Sequence, residues 1–136
     1  MALTLQTARH LIDASEARAR ELSITITTVV VDSAGFPLAL SRMDGAGPMT
    51  ASIATSKAYT AAVMRRASGD LMPMAEQRPQ FFAAVSRMGL VPLIPGLGGV
   101  PVRESSDIVG GIGVSGGTAE QDLDCAQAAL KAVGAV

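Results

Sequence analysis

The order of elements in this chain predicts a mixed α/β domain of the α+β kind: a five-stranded antiparallel sheet with helices on both faces. Three observations carry that expectation. The β-branched stretch Ile24–Val31 is followed at once by the turn residues Asp32-Ser-Ala-Gly35 and a second extended run, Pro37–Arg42. Val100–Glu104 and Ile108–Ser115 repeat the arrangement nearer the C-terminus. Connections this short join antiparallel neighbours, because a parallel crossover needs a dozen or more residues. Apolar residues at helical spacing occupy the first twenty residues, the middle and the end of the chain.

Taken in order, Thr4 is placed to cap a first helix running to Glu21, with Leu5, Ala8, Ile12, Ala19 and Leu22 on one stripe. Ile24–Val31 alternates Ile, Thr and Val, residues that suit a buried strand. Asp32 can hydrogen-bond its own backbone and Gly35 accepts positive φ, which closes a hairpin with Pro37–Arg42. Asp44-Gly-Ala-Gly-Pro48 reads as loop. Thr50 or Ser52 would then cap a second helix to about Ala67, whose Ala51, Ala54, Ala58, Ala61 and Ala62 make a face flat enough to lie close on a sheet. Pro73 and Pro79 cut residues 68–88 into short helical pieces, the later one starting near Pro79. Met64, Met72, Met74 and Met88 gather there, as suits irregular packing. A short strand near Leu93 supplies the fifth member of the sheet. Ala119 to Val133 forms the last helix on the stripe Ala119, Leu123, Ala126, Leu130, Val133.

Composition narrows the function classes. The 136 residues make a single domain, residues 1–136, without repeats or linkers, and one large enough for its own core. Hydrophobic residues reach 49% while aromatics are 3% and Trp is absent, so packing is between small aliphatic side chains. A mean hydropathy of +0.36 is high for a soluble monomer. No apolar run approaches the roughly 20 residues needed to span a bilayer, so we expect no membrane association and a homo-oligomer that hides the excess. A net charge of −1 with only Arg65-Arg66 as a basic cluster excludes the electrostatic footprint of a nucleic-acid binder. The first residues lack the pattern of a secretory leader, which points to the cytoplasm. One Cys and one His exclude a disulfide and an ordinary structural zinc site, and no other metal site is expected.

The most distinctive residues are Gly96-Leu-Gly-Gly-Val-Pro-Val102 and Gly110-Gly-Ile-Gly-Val-Ser-Gly-Gly-Thr-Ala-Glu-Gln-Asp122. In the second run Ile108, Gly110, Ile112 and Val114 share one strand face, and Val109, Gly111, Gly113 and Ser115 the other. Glycines inside a strand mark close approach by another backbone or a ligand. Thr118 with Gln121 makes a capping box, and the first-turn amides beyond it are expected to be available to a ligand. GLGG is no phosphate loop: no GK[ST] follows, and position 101 is Pro where a dinucleotide fingerprint needs Gly. These runs, with Val31-Asp-Ser-Ala-Gly35, Arg42-Met-Asp-Gly-Ala46 and Lys57-Ala-Tyr-Thr-Ala-Ala62, resemble the GlcG/haem-binding HbpS-like/PduO C-terminal family over nearly the whole chain. The resemblance implies a profilin-like architecture. Its members include haem binders, some using a histidine from the N-terminal region as an axial ligand, and appendages of corrinoid enzymes.

Candidate chemistry is sparse. His10 is the only imidazole, so it is the candidate haem ligand, against the plain alternative of a surface histidine. Tyr59 and the Gly98-Gly99 backbone are further cofactor-binding candidates, and Cys125 reads as an inert core thiol. Arg42, Asp44 and Lys57 lie in the family-like segments and form a candidate polar pocket. Lys57 shares a helical face with Ala54 and Ala61, so its charge must be matched by Asp44, Glu120 or Asp122. Glu120 and Asp122 also suit the dipole of the last helix without any function. A structural ion pair therefore competes with an acid–base role for Lys57, Asp44 and Arg42. Two functions remain: a cytoplasmic, homo-oligomeric binder of haem or a related tetrapyrrole, or a small catabolic isomerase, hydratase or lyase acting on a carboxylate-bearing metabolite through the Lys/Asp/Arg pocket.

Overall fold

In the computed structural model, which describes residues 3–135, two layers of helix enclose one antiparallel sheet. The elements are α1 (Leu5–Glu21), β1 (Thr27–Asp32), β2 (Pro37–Arg42), α2 (Met49–Met64), a 3-10 turn (Ser68–Leu71), α3 (Met72–Gln77), α4 (Pro79–Ser86), β3 (Gly99–Glu104), β4 (Asp107–Ser115) and α5 (Ala119–Val133). Both expected hairpins form, and β1 and β4 pair at the centre to give the order β2-β1-β4-β3. The sheet has four strands, not five. The expected strand near Leu93 is absent: that residue turns its side chain into a cluster with Tyr59, Leu71 and Phe82, and Pro92 and Pro95 flank it with no N–H for a ladder.

α1 and α5 cover one face of the sheet. Ala8, Leu11, Ile12 and Ala19 of α1 meet Cys125, Ala126, Ala129 and Leu130 of α5 over Val30, Ile112 and Val114. The Thr4 hydroxyl accepts from the Thr7 amide at 3.1 Å, the expected cap and a contribution of about 1 kcal/mol. Leu5, expected on the buried stripe, is 44% exposed, and Leu11 takes its place in the core.

α2 alone covers the other face, through Ala54, Ala58 and Ala62 against Val29 and Val31. The glycines of β4 make this possible. A Cβ on Gly113 would stand 2.5 Å from the Ala58 nitrogen and collide with the Ala54 carbonyl oxygen; one on Gly111 would collide with the Ala58 carbonyl. The smooth face of the strand is thus filled by helix backbone and not by a ligand. The cap of α2 differs from expectation: Pro48 holds the N-cap position without a side-chain bond, and Thr50, already helical, gives its hydroxyl to the Gly47 carbonyl at 2.5 Å. The helix stops at Met64 because Arg65 turns left-handed at φ 60°.

Candidate functional site

Lys57 lies on the sheet-facing side of α2, 6% exposed, where the small residues on either side of it bring the helix close to the strands. Its ammonium donates to the Asp122 Oδ2 at 3.0 Å and to the Val114 carbonyl at 2.9 Å. Asp122 stands in the first turn of α5, 4% exposed, and its other oxygen accepts from the Gly117 amide at 2.8 Å. One buried pair therefore ties α2, the end of β4 and the start of α5 together. Burial pushes the Asp122 carboxyl above the usual carboxylate range, against the opposing pull of the Lys57 charge and the Gly117 N–H.

The glycine loop is shaped around this pair. Gly98 sits at φ +122°, a conformation that L side chains rarely adopt, and a Cβ there would stand 2.9 Å from the Lys57 Nζ and 2.7 Å from the Val114 carbonyl. The neighbouring loop is held by Ser68, whose buried hydroxyl donates to the Gly96 carbonyl at 2.5 Å and accepts from the Gly99 amide at 2.9 Å. Nothing in the sequence ties Ser68 to a loop thirty residues away; the only cue is that a tight glycine turn leaves backbone groups in need of a partner.

The structure gathers some of the sequence candidates and separates others. Of the three acids that could match Lys57, it selects Asp122. Asp44 is exposed in the loop after β2, and Arg42 is exposed with its Nη1 reaching only the Ala46 carbonyl at 3.4 Å. Both stand at the same end of the sheet as the buried pair, since Arg42 is level with Thr27 and Thr27 with Ser115, but neither contacts Lys57. Tyr59 is 8% exposed, and its hydroxyl accepts from the Leu90 amide at 3.0 Å. His10 is exposed on α1, on the side away from the buried Ala8, Leu11 and Ile12. At the start of α5 the Thr118 hydroxyl accepts from the Gln121 amide, so that one of the first-turn amides is taken, while ahead of the helix the Gln121 side-chain oxygen accepts from the Thr118 amide and Asp122 from Gly117. Cys125 is fully buried, and burial pushes its thiol up to about 11, so it is inert as expected.

Among the described residues no group of His, Cys, Asp and Glu could hold a metal ion, and no helix is long and apolar enough to cross a membrane.

Comparison with known proteins bears on the whole chain. A family model described as "Haem degrading protein HbpS-like" matches residues 3–131. The chain is 34% identical, over 94% of its length and 89% of the other's, to an uncharacterised 15.0 kDa protein of the dhaT-dhaS intergenic region of Citrobacter freundii. It is 31% identical over 98% of its length to the corrinoid adenosyltransferase PduO of the same species, of which it spans only 39%. The solved structure of a PduOC:heme complex superposes with a TM-score of 0.88 at 29% identity, covering 97% of this chain and 95% of that one. With a family match over nearly all of its residues and relatives above 30% identity, the chain belongs to the HbpS-like family.

Proposed function

We propose that this protein is a cytoplasmic, homo-oligomeric binder of a small ligand, and that the ligand is haem or a related tetrapyrrole. The observation that carries the reading is its likeness, along nearly the full chain, to a domain whose structure is that of a haem complex. The residues present fit such a group in an assembly better than in one protomer. His10 is exposed and makes no hydrogen bond to the described residues, so its imidazole is free to ligate iron, the chemistry the haem itself supplies. A groove of about 520 Å³ beside α1, which His10 does not line, has Leu5, Leu38 and Leu40 as apolar wall and Arg9 as a guanidinium suited to a propionate, next to the carboxylates of Asp13 and Glu16. A second copy would complete the apolar enclosure that a tetrapyrrole requires. Exposed Phe36, Met49, Met88 and Leu90 give that copy surface to cover. In this reading Tyr59, Gly98 and Gly99 contribute by fixing the protomer's shape, not by touching the ligand.

Titration of the purified protein with hemin tests the reading. A saturable Soret shift at defined stoichiometry, lost in His10→Ala with the fold retained, is the expected result. A shift indifferent to His10 removes the proposed ligand. Absence of any shift, together with light scattering at the mass of a single 13.9 kDa chain, removes the reading as a whole.

One observation favours a second reading, the catabolic enzyme: a lysine buried beside a carboxylate and a glycine loop is an arrangement from which acid–base catalysis can be built. Lys57 would then be the catalytic group, with Arg42 pairing with the carboxylate of the substrate and Asp44 shuttling a proton at the same end of the sheet. This reading requires the Lys57–Asp122 pair to open on binding.

A further inference from the structure

On the face of the sheet opposite α1, a groove of about 320 Å³ runs between the edge strand β2 and the segment before β3, floored by α2. Its walls are Leu40, Ala51, Val91 and Pro92, and its polar groups are the hydroxyls of α2. Tyr59 and Thr60, one turn further along α2, receive the backbone N–H groups of Leu90 and Ile94 at 3.0 Å each. Ser56 lines the groove together with Val91 and Pro92 of the same segment. Proline at position 92 has no N–H to give it. Ser56 is 9% exposed and makes no hydrogen bond to the described residues, while Thr55 beside it spends its hydroxyl on the Ala51 carbonyl at 2.7 Å. No polar side-chain atom among the described residues is both sealed and unpaired, so the Ser56 Oγ keeps its accessible surface, and it keeps it toward the groove it lines.

We infer that this groove is a binding site for a small uncharged organic molecule carrying a hydroxyl or carbonyl group. Leu40, Val91 and Pro92 would cover its hydrocarbon part, and the Ser56 hydroxyl, aided by Ser52, would bond its oxygen. The lining contains no ionisable residue, so a carboxylate or an ammonium entering it would lose water without a partner. That selects a neutral ligand. The site shares Leu40 of the edge strand with the groove beside α1, but its Ser56, Val91 and Pro92 do not line that groove, and the assignment does not rest on the haem reading.

The test uses the intact protein and four-carbon probes of similar size: 2-butanone, 1-butanol, butyrate and butylammonium. NMR shifts of the Leu40 and Val91 methyls and the Ser56 amide are followed during titration. The two neutral probes should shift these signals saturably, and the two ions should not. Ser56→Ala should weaken 2-butanone binding by roughly threefold to tenfold, the worth of one hydrogen bond, with the amide shifts of Gly99 and Gly113 reporting an unaltered fold. Equal response to the charged probes, or unchanged affinity in Ser56→Ala, would overturn the assignment. So would shifts of the same signals on dilution of the protein alone, which would mean that a second copy fills the groove.

Discussion

Two carboxylates two residues apart on α5 make ion pairs of the same length, 3.0 Å, in opposite surroundings. Asp122 meets Lys57 with side-chain exposures of 5% and 7%, whereas Asp124 meets Arg18 at 43% and 34%. The outer pair is bidentate, Arg18 Nε and Nη2 each reaching one carboxylate oxygen, and the inner one is monodentate. Even so, only the inner pair is expected to matter to the fold once disturbed. Water competes for the outer charges and salt screens them, while neither inner charge can be rehydrated without moving a helix. The inner pair adds little net stability against a well-packed apolar substitute. Its weight lies in the damage done when it is halved.

The largest effect should come from halving it. Lys57→Ala leaves Asp122 buried and unmatched and should cost about 3–5 kcal/mol in denaturant unfolding. Replacing both partners by Met and Leu should restore most of that loss, and a double variant as unstable as the single one would show that the interaction is not electrostatic. If turnover of a carboxylate-bearing substrate per folded molecule were lost in the double variant while stability returned, the enzyme reading of Lys57 would gain over the structural one.

The next effect concerns what lets the pair form. A Cβ at Gly113 would come within 3.0 Å of the Lys57 Cβ as well as striking the backbone of α2. Gly113→Val should lift the helix and cost about 1–3 kcal/mol by overpacking. A wild-type melting curve for this variant would contradict the close seating of α2 on β4.

The smallest effect belongs to the outer pair. Arg18→Ala should lower the melting temperature less than either change above, and the difference from wild type should vanish in about 1 M salt, where screening acts over roughly 3 Å.

The two acids should also titrate to opposite sides of the ordinary carboxylate value. The hydrogen bond from Arg18, then its charge, hold Asp124 below 3.8. Its stabilising contribution is complete above that value and is lost as pH falls through the depressed folded one. Burial holds Asp122 above 3.8 despite Lys57. Folding therefore disfavours its ionised form, a cost complete above the raised value and relieved as pH falls through it. Carboxyl carbon shifts followed by NMR from neutral to acid pH should show Asp122 taking its proton first, and in Lys57→Ala earlier still. The reverse order would invert the comparison.

The helices and the paired strands were legible in the sequence because each rests on local signals. Thr4 and Thr118 announce their caps, the turns at Asp32 and after Glu104 permit only antiparallel return, and the alanines of α2 together with Gly111 and Gly113 announce close packing. The failed strand near Leu93 shows the limit. A short apolar run between prolines reads alike whether it enters a sheet or fills a gap beneath short helices, and only the tertiary cluster with Tyr59 and Phe82 decides. The candidate site was half legible. That Lys57 faces inward followed from helical spacing, and Asp122 stood among its three possible partners. The choice between Asp122 and Asp44 depended on where the start of α5 meets α2, which no local signal reports. Ser56 and Ser68 escaped notice because a lone serine on a helix or before a turn carries no signature of what faces it.

The central pairing of β1 with β4 has a consequence for how the protein is made. β1 is translated well before Gly110–Ser115, one of the two neighbours that complete its ladder, with β2 and α2 to α4 in between. Until β4 emerges the nascent chain can form the β1–β2 hairpin and the helices before it, with one edge of β1 and the apolar faces of α1 and α2 uncovered. Completion of the sheet must therefore wait for a contact of high sequence separation. During that wait the exposed edge of β1 is the part of the chain most in need of protection by a chaperone.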